Sequence, residues 1–174
     1  GWQLAEWIID GEPTIDMLGV EPRRYGSYAT KSYLKAKNEE AYANVFTVHY
    51  PDEEREAGRP LRQAPCYDRL KKLGAVFGAK FGWERANFFA KEGEKPEDDW
   101  SFRRSKWFKN VEQECKNVKE NVGLLDMSAF GKCRIKGPGA EEFLDKLVAN
   151  KLPKKIGRIN LCHALNTKGG VHSE

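Results

Sequence analysis

The sequence predicts an α+β protein in which a small antiparallel sheet is accompanied by helices. Three observations predict it. Apolar residues recur at helical spacing in several separate stretches, short runs rich in β-branched and aromatic residues sit between charged loops, and Gly and Pro punctuate the joints.

Taken in order, residues 1–10 read as a short amphipathic helix, with Leu4, Trp7 and Ile8 on one face and Gly11 and Pro13 stopping it. Residues 11–30 are turn-rich and extended. Residues 33–44 read as a helix with Tyr33, Leu34, Ala41 and Tyr42 as its apolar stripe. Residues 46–50 (Phe-Thr-Val-His-Tyr) read as a strand, followed by a charged loop over 51–60. A helix is expected over 64–73, with Tyr67, Leu70 and Leu73 on its buried side and Gly74 closing it. Residues 75–81 read as a strand that Gly82, Trp83 and Glu84 lead out of. The 91–99 loop is charged and expected to be exposed and mobile. A helix follows over 106–121, with Phe108, Val111, Cys115 and Val118 on one face. Strand-like runs at 122–125 and 133–136 then frame a turn-rich segment, and a helix over 140–150 points Phe143, Leu144, Leu147 and Val148 inward.

The 174 residues suffice for one core together with pieces of others. A net charge of +4, with basic residues interspersed among acidic ones, argues against a nucleic-acid partner. No apolar run approaches the ~20 residues that span a bilayer, so no membrane partner is expected. Cys66, Cys115, Cys133 and Cys162 are scattered, as are His49, His163 and His172. That pattern predicts free thiols in a reducing compartment and no metal site. Neither a phosphate loop nor a dinucleotide glycine fingerprint occurs.

The last third is the most specific. Asp126-Met127-Ser128-Ala129-Phe130-Gly131-Lys132, the Gly137-Pro138-Gly139 turn with its helix, and Gly169-Gly170-Val171-His172-Ser173-Glu174 follow one another. In that order they resemble the start of the tetrahydrofolate-binding domain of the aminomethyltransferase family, the T-protein of glycine cleavage. The opening Gly1-Trp2-Gln3-Leu4-Ala5-Glu6-Trp7-Ile8-Ile9-Asp10-Gly11 resembles the last FAD-domain helix of amine-oxidising flavoproteins. Between them, Glu21-Pro22-Arg23-Arg24-Tyr25-Gly26, the charged stretch 50–60, Gly82-Trp83-Glu84-Arg85-Ala86-Asn87-Phe88-Phe89 and the stretch 100–108 resemble dimethylglycine and sarcosine dehydrogenases.

The resemblance implies an internal segment of a longer protein. Residues 1–25 would end an FAD-binding domain, 26–107 would form a central linking domain, and 108–174 would begin a folate-binding domain. The parent would be a flavin- and folate-dependent N-methylamine dehydrogenase using FAD and tetrahydrofolate, and this segment alone would be inactive. The alternative is a non-catalytic regulatory or scaffold relative. Partners would be an N-methylated amino acid, folate and the rest of the chain, in the cytoplasm or the mitochondrial matrix.

Glu174 stands where the family places the acid that serves the folate. A carboxylate there can take the proton released when a folate nitrogen attacks an imine carbon. The aminomethyltransferases carry Asp at this position, one methylene shorter. Phe130 stands where the family packs an apolar residue, commonly Met, on the pterin, and so is the second folate-binding candidate. Gly1, Trp2 and Gln3 would turn backbone N–H groups toward the flavin, as helix N-termini do toward anionic oxygens. Two further groups invite notice without the resemblance. The 83–89 cluster suits either a cavity lining or a core edge with one ion pair, and Arg103-Arg104 suits a carboxylate or a plain surface pair.

Overall fold

In a computed structural model the described residues are 1–173. They form two compact units, residues 1–130 and residues 131–173.

The first unit is organised by a hairpin. Strand β1 (Ala75–Lys80) pairs antiparallel with β2 (Trp83–Phe89), and Lys80 lies opposite Trp83. Phe81 and Gly82 are left as a two-residue turn, with φ of 49° and 78°. Positive φ at both central residues is the turn whose twist matches that of the flanking strands. Gly accepts that geometry without cost, whereas Phe81 does not. Val76 pairs with Phe88 and Phe77 with Ala86, so Asn87 is an extra residue on β2, a bulge.

The core sits on this hairpin. Phe88 is 1% exposed, and Ala64, Ala75 and Val76 are buried with it. Helix α3 (Tyr67–Lys72) leads into β1 and lays the Tyr67 ring on Phe77, centroids 4.5 Å apart. Gly74 joins them at φ 84°, where an added Cβ would meet the Ala90 carbonyl oxygen at 2.9 Å. Helix α4 (Trp107–Glu120) runs beside β2. Buried Asn110 donates to the Phe89 carbonyl at 2.9 Å, and Glu114 accepts from the Phe89 N–H at 3.0 Å. Two polar side chains thus satisfy a strand end that would otherwise be left unpaired.

Helices α1 (Trp2–Asp10) and α2 (Lys31–Ala43) complete the unit, with a one-turn 3₁₀ helix at Pro22–Arg24 between them. Thr30 caps α2 by accepting from the Tyr33 N–H at 3.3 Å. The inward face of α2 is not the expected apolar stripe. Tyr42 is 83% exposed, while Tyr33, Ala36, Lys37 and Glu40 are half-buried. Glu40 accepts from the N–H groups of Glu56 and Ala57 at 2.8 and 2.9 Å, and Lys37 donates to the Arg55 carbonyl at 3.3 Å. These bonds let a polar face pack against the 51–60 loop.

In the second unit, Gly139 at φ 79° precedes helix α5 (Ala140–Leu147). Strands β3 (Ala164–Leu165) and β4 (Val171–Ser173) form a short antiparallel hairpin. Its turn is held by Asn166 Oδ1, which accepts from the N–H groups of Lys168 and Gly170 at 3.0 and 2.9 Å.

Several expectations need correction. Residues 46–50, 122–125 and 133–136 are not strands. β-propensity needs a ladder partner, and none among the described residues supplies one. Residues 83–89 do not lead out of a strand but form β2 itself. The 64–73 helix begins only after Pro65, and Leu73 is 68% exposed. Cys115 and Val118 on α4, and Phe143 and Leu147 on α5, are exposed. The 91–99 loop is exposed but anchored, since Glu94 accepts from the Lys91 N–H at 3.0 Å and from Asn110 at 3.3 Å. Limited proteolysis of the full-length protein is expected to cut first within 91–99. Earlier cutting within residues 64–81 would contradict the hairpin unit.

Candidate functional site

The most enclosed ion pair among the described residues is Arg59–Glu84. Glu84 lies on β2 with its side chain 3% exposed, and Arg59 reaches it from the preceding loop. Arg59 donates through Nε and Nη2 to the two carboxylate oxygens at 3.0 and 2.7 Å, and through Nη2 to the Phe77 carbonyl at 2.8 Å. The hydrogen bonds to Glu84 hold the guanidinium pKa above its ordinary value, against the opposing effect of burial. A fork-to-fork pair of this kind fixes geometry as well as charge.

Beside it, Glu54 accepts from the Ala79 N–H at 3.3 Å, and its other oxygen lies 3.5 Å from Asn87 Nδ2. Gly78 makes that approach possible, because a Cβ there would lie 2.2 Å from Glu54 Oε1. A cleft of about 330 Å³ opens next to these groups, lined among others by Tyr25, Tyr28, Tyr33, Lys37, Arg55 and Arg59. Its carboxylates, Glu53 and Glu54, are engaged by backbone N–H groups and by Arg55. Burial, with Tyr28 and Tyr25 adding to it, pushes the Tyr33 phenol above its ordinary pKa. The cleft therefore offers hydrogen-bond donors beside two carboxylates that already have partners.

Phe130 lies in an irregular segment. Asp126 Oδ1 accepts from the Ser128 N–H at 2.9 Å, and the Phe130 N–H donates to the Met127 carbonyl at 3.2 Å. The ring is 49% exposed. The Arg85 guanidinium, from the middle of β2, stands 4.9 Å from its centroid. Such a half-exposed ring fits a flat heteroaromatic ligand. Glu174 lies outside the described residues.

Gly1 is the N-cap of α1, and no side chain caps that terminus. Trp2 Nε1 donates to Glu6, Gln3 Nε2 to Thr14 at 3.1 Å, and the first backbone bond of the helix is Ala5 N–H to Gly1 carbonyl at 3.0 Å. Gly1, Trp2 and Gln3 thus share one end of α1, whereas Phe130 belongs to another part of the unit.

The remaining groups resolve as structure. Residues 83–89 form the core edge: Trp83 stacks under Arg62 at 4.2 Å, Glu84 is paired and Phe88 is buried. Arg104 stacks on Phe108 at 4.2 Å on the exposed surface. All four cysteines are free thiols. No group of His, Cys, Asp and Glu among the described residues has the arrangement of a metal site, and no helix is long and apolar enough to cross a membrane. The sequence reading missed the roles of Arg59 and Arg85. The only signal for Arg59 was its place, with Arg55, in an otherwise acidic loop; for Arg85 it was the alternation of charged and aromatic residues from 83 to 89.

Residues 66–174 match the family model of the GCVT N-terminal domain, and residues 10–64 match that of the FAD dependent oxidoreductase central domain. The chain belongs to the GCVT N-terminal domain family, with oxidoreductase central-domain sequence ahead of it. The matches change over at residue 65, inside the stretch 26–107 that the sequence suggests as one unit. The chain is similar to mitochondrial dimethylglycine dehydrogenase of Rattus norvegicus, 40% identical over 174 residues, which is all of this chain and 20% of the relative. It is 33% identical over 177 residues to the mitochondrial pyruvate dehydrogenase phosphatase regulatory subunit of Mus musculus, covering 98% of this chain and 20% of that protein. Mitochondrial sarcosine dehydrogenase of Homo sapiens is 28% identical over 200 residues, covering all of this chain and 22% of that protein. The chain thus spans about one fifth of the length of these curated relatives.

Proposed function

We propose that this chain is the joint between the flavin and folate halves of an N-methylamine dehydrogenase. The parent oxidises dimethylglycine or sarcosine and passes the one-carbon unit to tetrahydrofolate. One observation carries the reading: the two family matches follow each other along the chain, and similarity to dimethylglycine dehydrogenase runs through both. The higher identity, 40% against 28%, favours dimethylglycine over sarcosine. The mitochondrial names of the relatives favour the matrix over the cytoplasm.

When bound, FAD supplies the acceptor for the hydride. This chain's own residues do the rest of what is assigned here. The backbone N–H groups of Gly1, Trp2 and Gln3 would hold an oxygen of the flavin, Phe130 would offer its ring to the pterin, and the Glu174 carboxylate would serve as the base that accepts a proton from the folate. The similarity to a phosphatase regulatory subunit supports the second reading, a non-catalytic relative of the same architecture.

The test uses the full-length protein. Flavin absorbance that bleaches on anaerobic addition of dimethylglycine, with methylenetetrahydrofolate formed when tetrahydrofolate is present, is the expected result. A colourless protein supports the regulatory reading instead. Bleaching by sarcosine but not by dimethylglycine overturns the substrate preference.

A further inference from the structure

We propose that Arg85 is a positioning residue of the folate pocket, acting through Phe130; this rests on the assignment of Phe130 to that pocket. Phe130 sits in neither helix nor strand, and its N–H donates to the Met127 carbonyl of the adjoining turn. A ring that must present one face to a flat ligand needs an anchor from a stiffer element. Arg85 provides it. Its backbone is fixed in the hairpin opposite Gly78, and its guanidinium stands 4.9 Å from the Phe130 centroid. Arg85 is half-buried, yet it enters none of the ion pairs of the described residues. Its recorded contact is the aromatic ring. A planar, weakly hydrated cation suits that stacking better than an ammonium does. With 49% of Phe130 exposed, the ring keeps surface for a flat heteroaromatic ligand while the guanidinium holds it in place.

The experiment measures tetrahydrofolate affinity and flavin reduction in the full-length protein for Arg85→Ala, Arg85→Lys, Phe130→Ala and the double variant. Arg62→Ala serves as control, since it removes a stacked guanidinium from the same hairpin without touching Phe130. A half-buried cation–π contact predicts about fivefold to tenfold weaker tetrahydrofolate binding in Arg85→Ala. Arg85→Lys recovers part of it, and Arg62→Ala binds tetrahydrofolate and reduces flavin like the wild type. The double variant binds no more weakly than Phe130→Ala, because the two residues act as one unit. Loss in Phe130→Ala with wild-type binding in Arg85→Ala overturns the role of Arg85 and leaves the pocket standing. Loss in Arg85→Ala alone shows that Arg85 does not act through Phe130, which also overturns it. Wild-type binding in both overturns the pocket assignment itself.

Discussion

Glu174→Gln in the full-length protein is expected to uncouple amine oxidation from folate. The substitution keeps the shape of the side chain and removes the base. Positioned general bases contribute typically ~10²–10⁴-fold, so formation of methylenetetrahydrofolate falls by at least about 10²-fold. Flavin reduction by the amine barely changes, because that step precedes the folate and uses other groups. Water then captures the imine that folate no longer takes, and free formaldehyde replaces the folate adduct among the products. Glu174→Asp is mild, as expected of a site where the aminomethyltransferases carry Asp. Rapid-mixing measurement of flavin reduction beside a product assay separates the two steps. Undiminished folate coupling in Glu174→Gln would remove Glu174 from the folate site.

Glu84→Ala is expected to cost about 3–5 kcal/mol of stability, because it strands a buried guanidinium. Both partners are enclosed, with side-chain exposures of 14% for Arg59 and 3% for Glu84, so solvent screens the pair little. A joint replacement costs much less. Arg59→Met with Glu84→Leu removes the charge and its desolvation cost together, and recovers most of the loss. The lost Arg59 bond to the Phe77 carbonyl keeps the recovery incomplete, since that oxygen loses its donor. Chemical denaturation of wild type, Arg59→Met, Glu84→Leu and the double variant closes the cycle, with Glu84→Ala measured beside it. A Glu84→Ala midpoint equal to the wild type would mean that the pair contributes nothing.

Helices were the legible part of this sequence. Their periodicity is local, and α1, α2, α4 and α5 each start within two or three residues of where spacing and punctuation place them. The first strand was legible for the same reason. Its partner was not. Trp83–Phe89 mixes Glu84 and Arg85 with aromatics, and what makes it a strand is pairing with β1. Conversely, residues 46–50 carry strong β propensity and stay irregular because no ladder is offered. The inward faces were misread wherever polar groups go inside. Lys37, Glu40 and Asn110 are tolerated there by hydrogen bonds to backbone atoms 16 to 21 residues away, which no local pattern reveals. The candidate site was readable only through motif order. Phe130 was singled out that way, but its cation came from a strand 45 residues earlier in the chain.

The two-residue turn at Phe81 and Gly82 acts as a ruler for this part of the chain. Arg59 and Glu84 are 25 residues apart, and they meet because the hairpin fixes which residues of β2 face that side. One residue gained or lost between the strands would exchange the faces of Glu84 and Arg85. The carboxylate would leave Arg59, and a second cation would arrive in its place. Loop closure itself tolerates added length, but the stretches 51–58 and 91–99 are held by Glu40, Ala79 and Asn110, so an extra residue there also has to keep those bonds. Between the paired residues of β1 and β2 length cannot vary, because there a single extra residue turns a carboxylate away from its guanidinium.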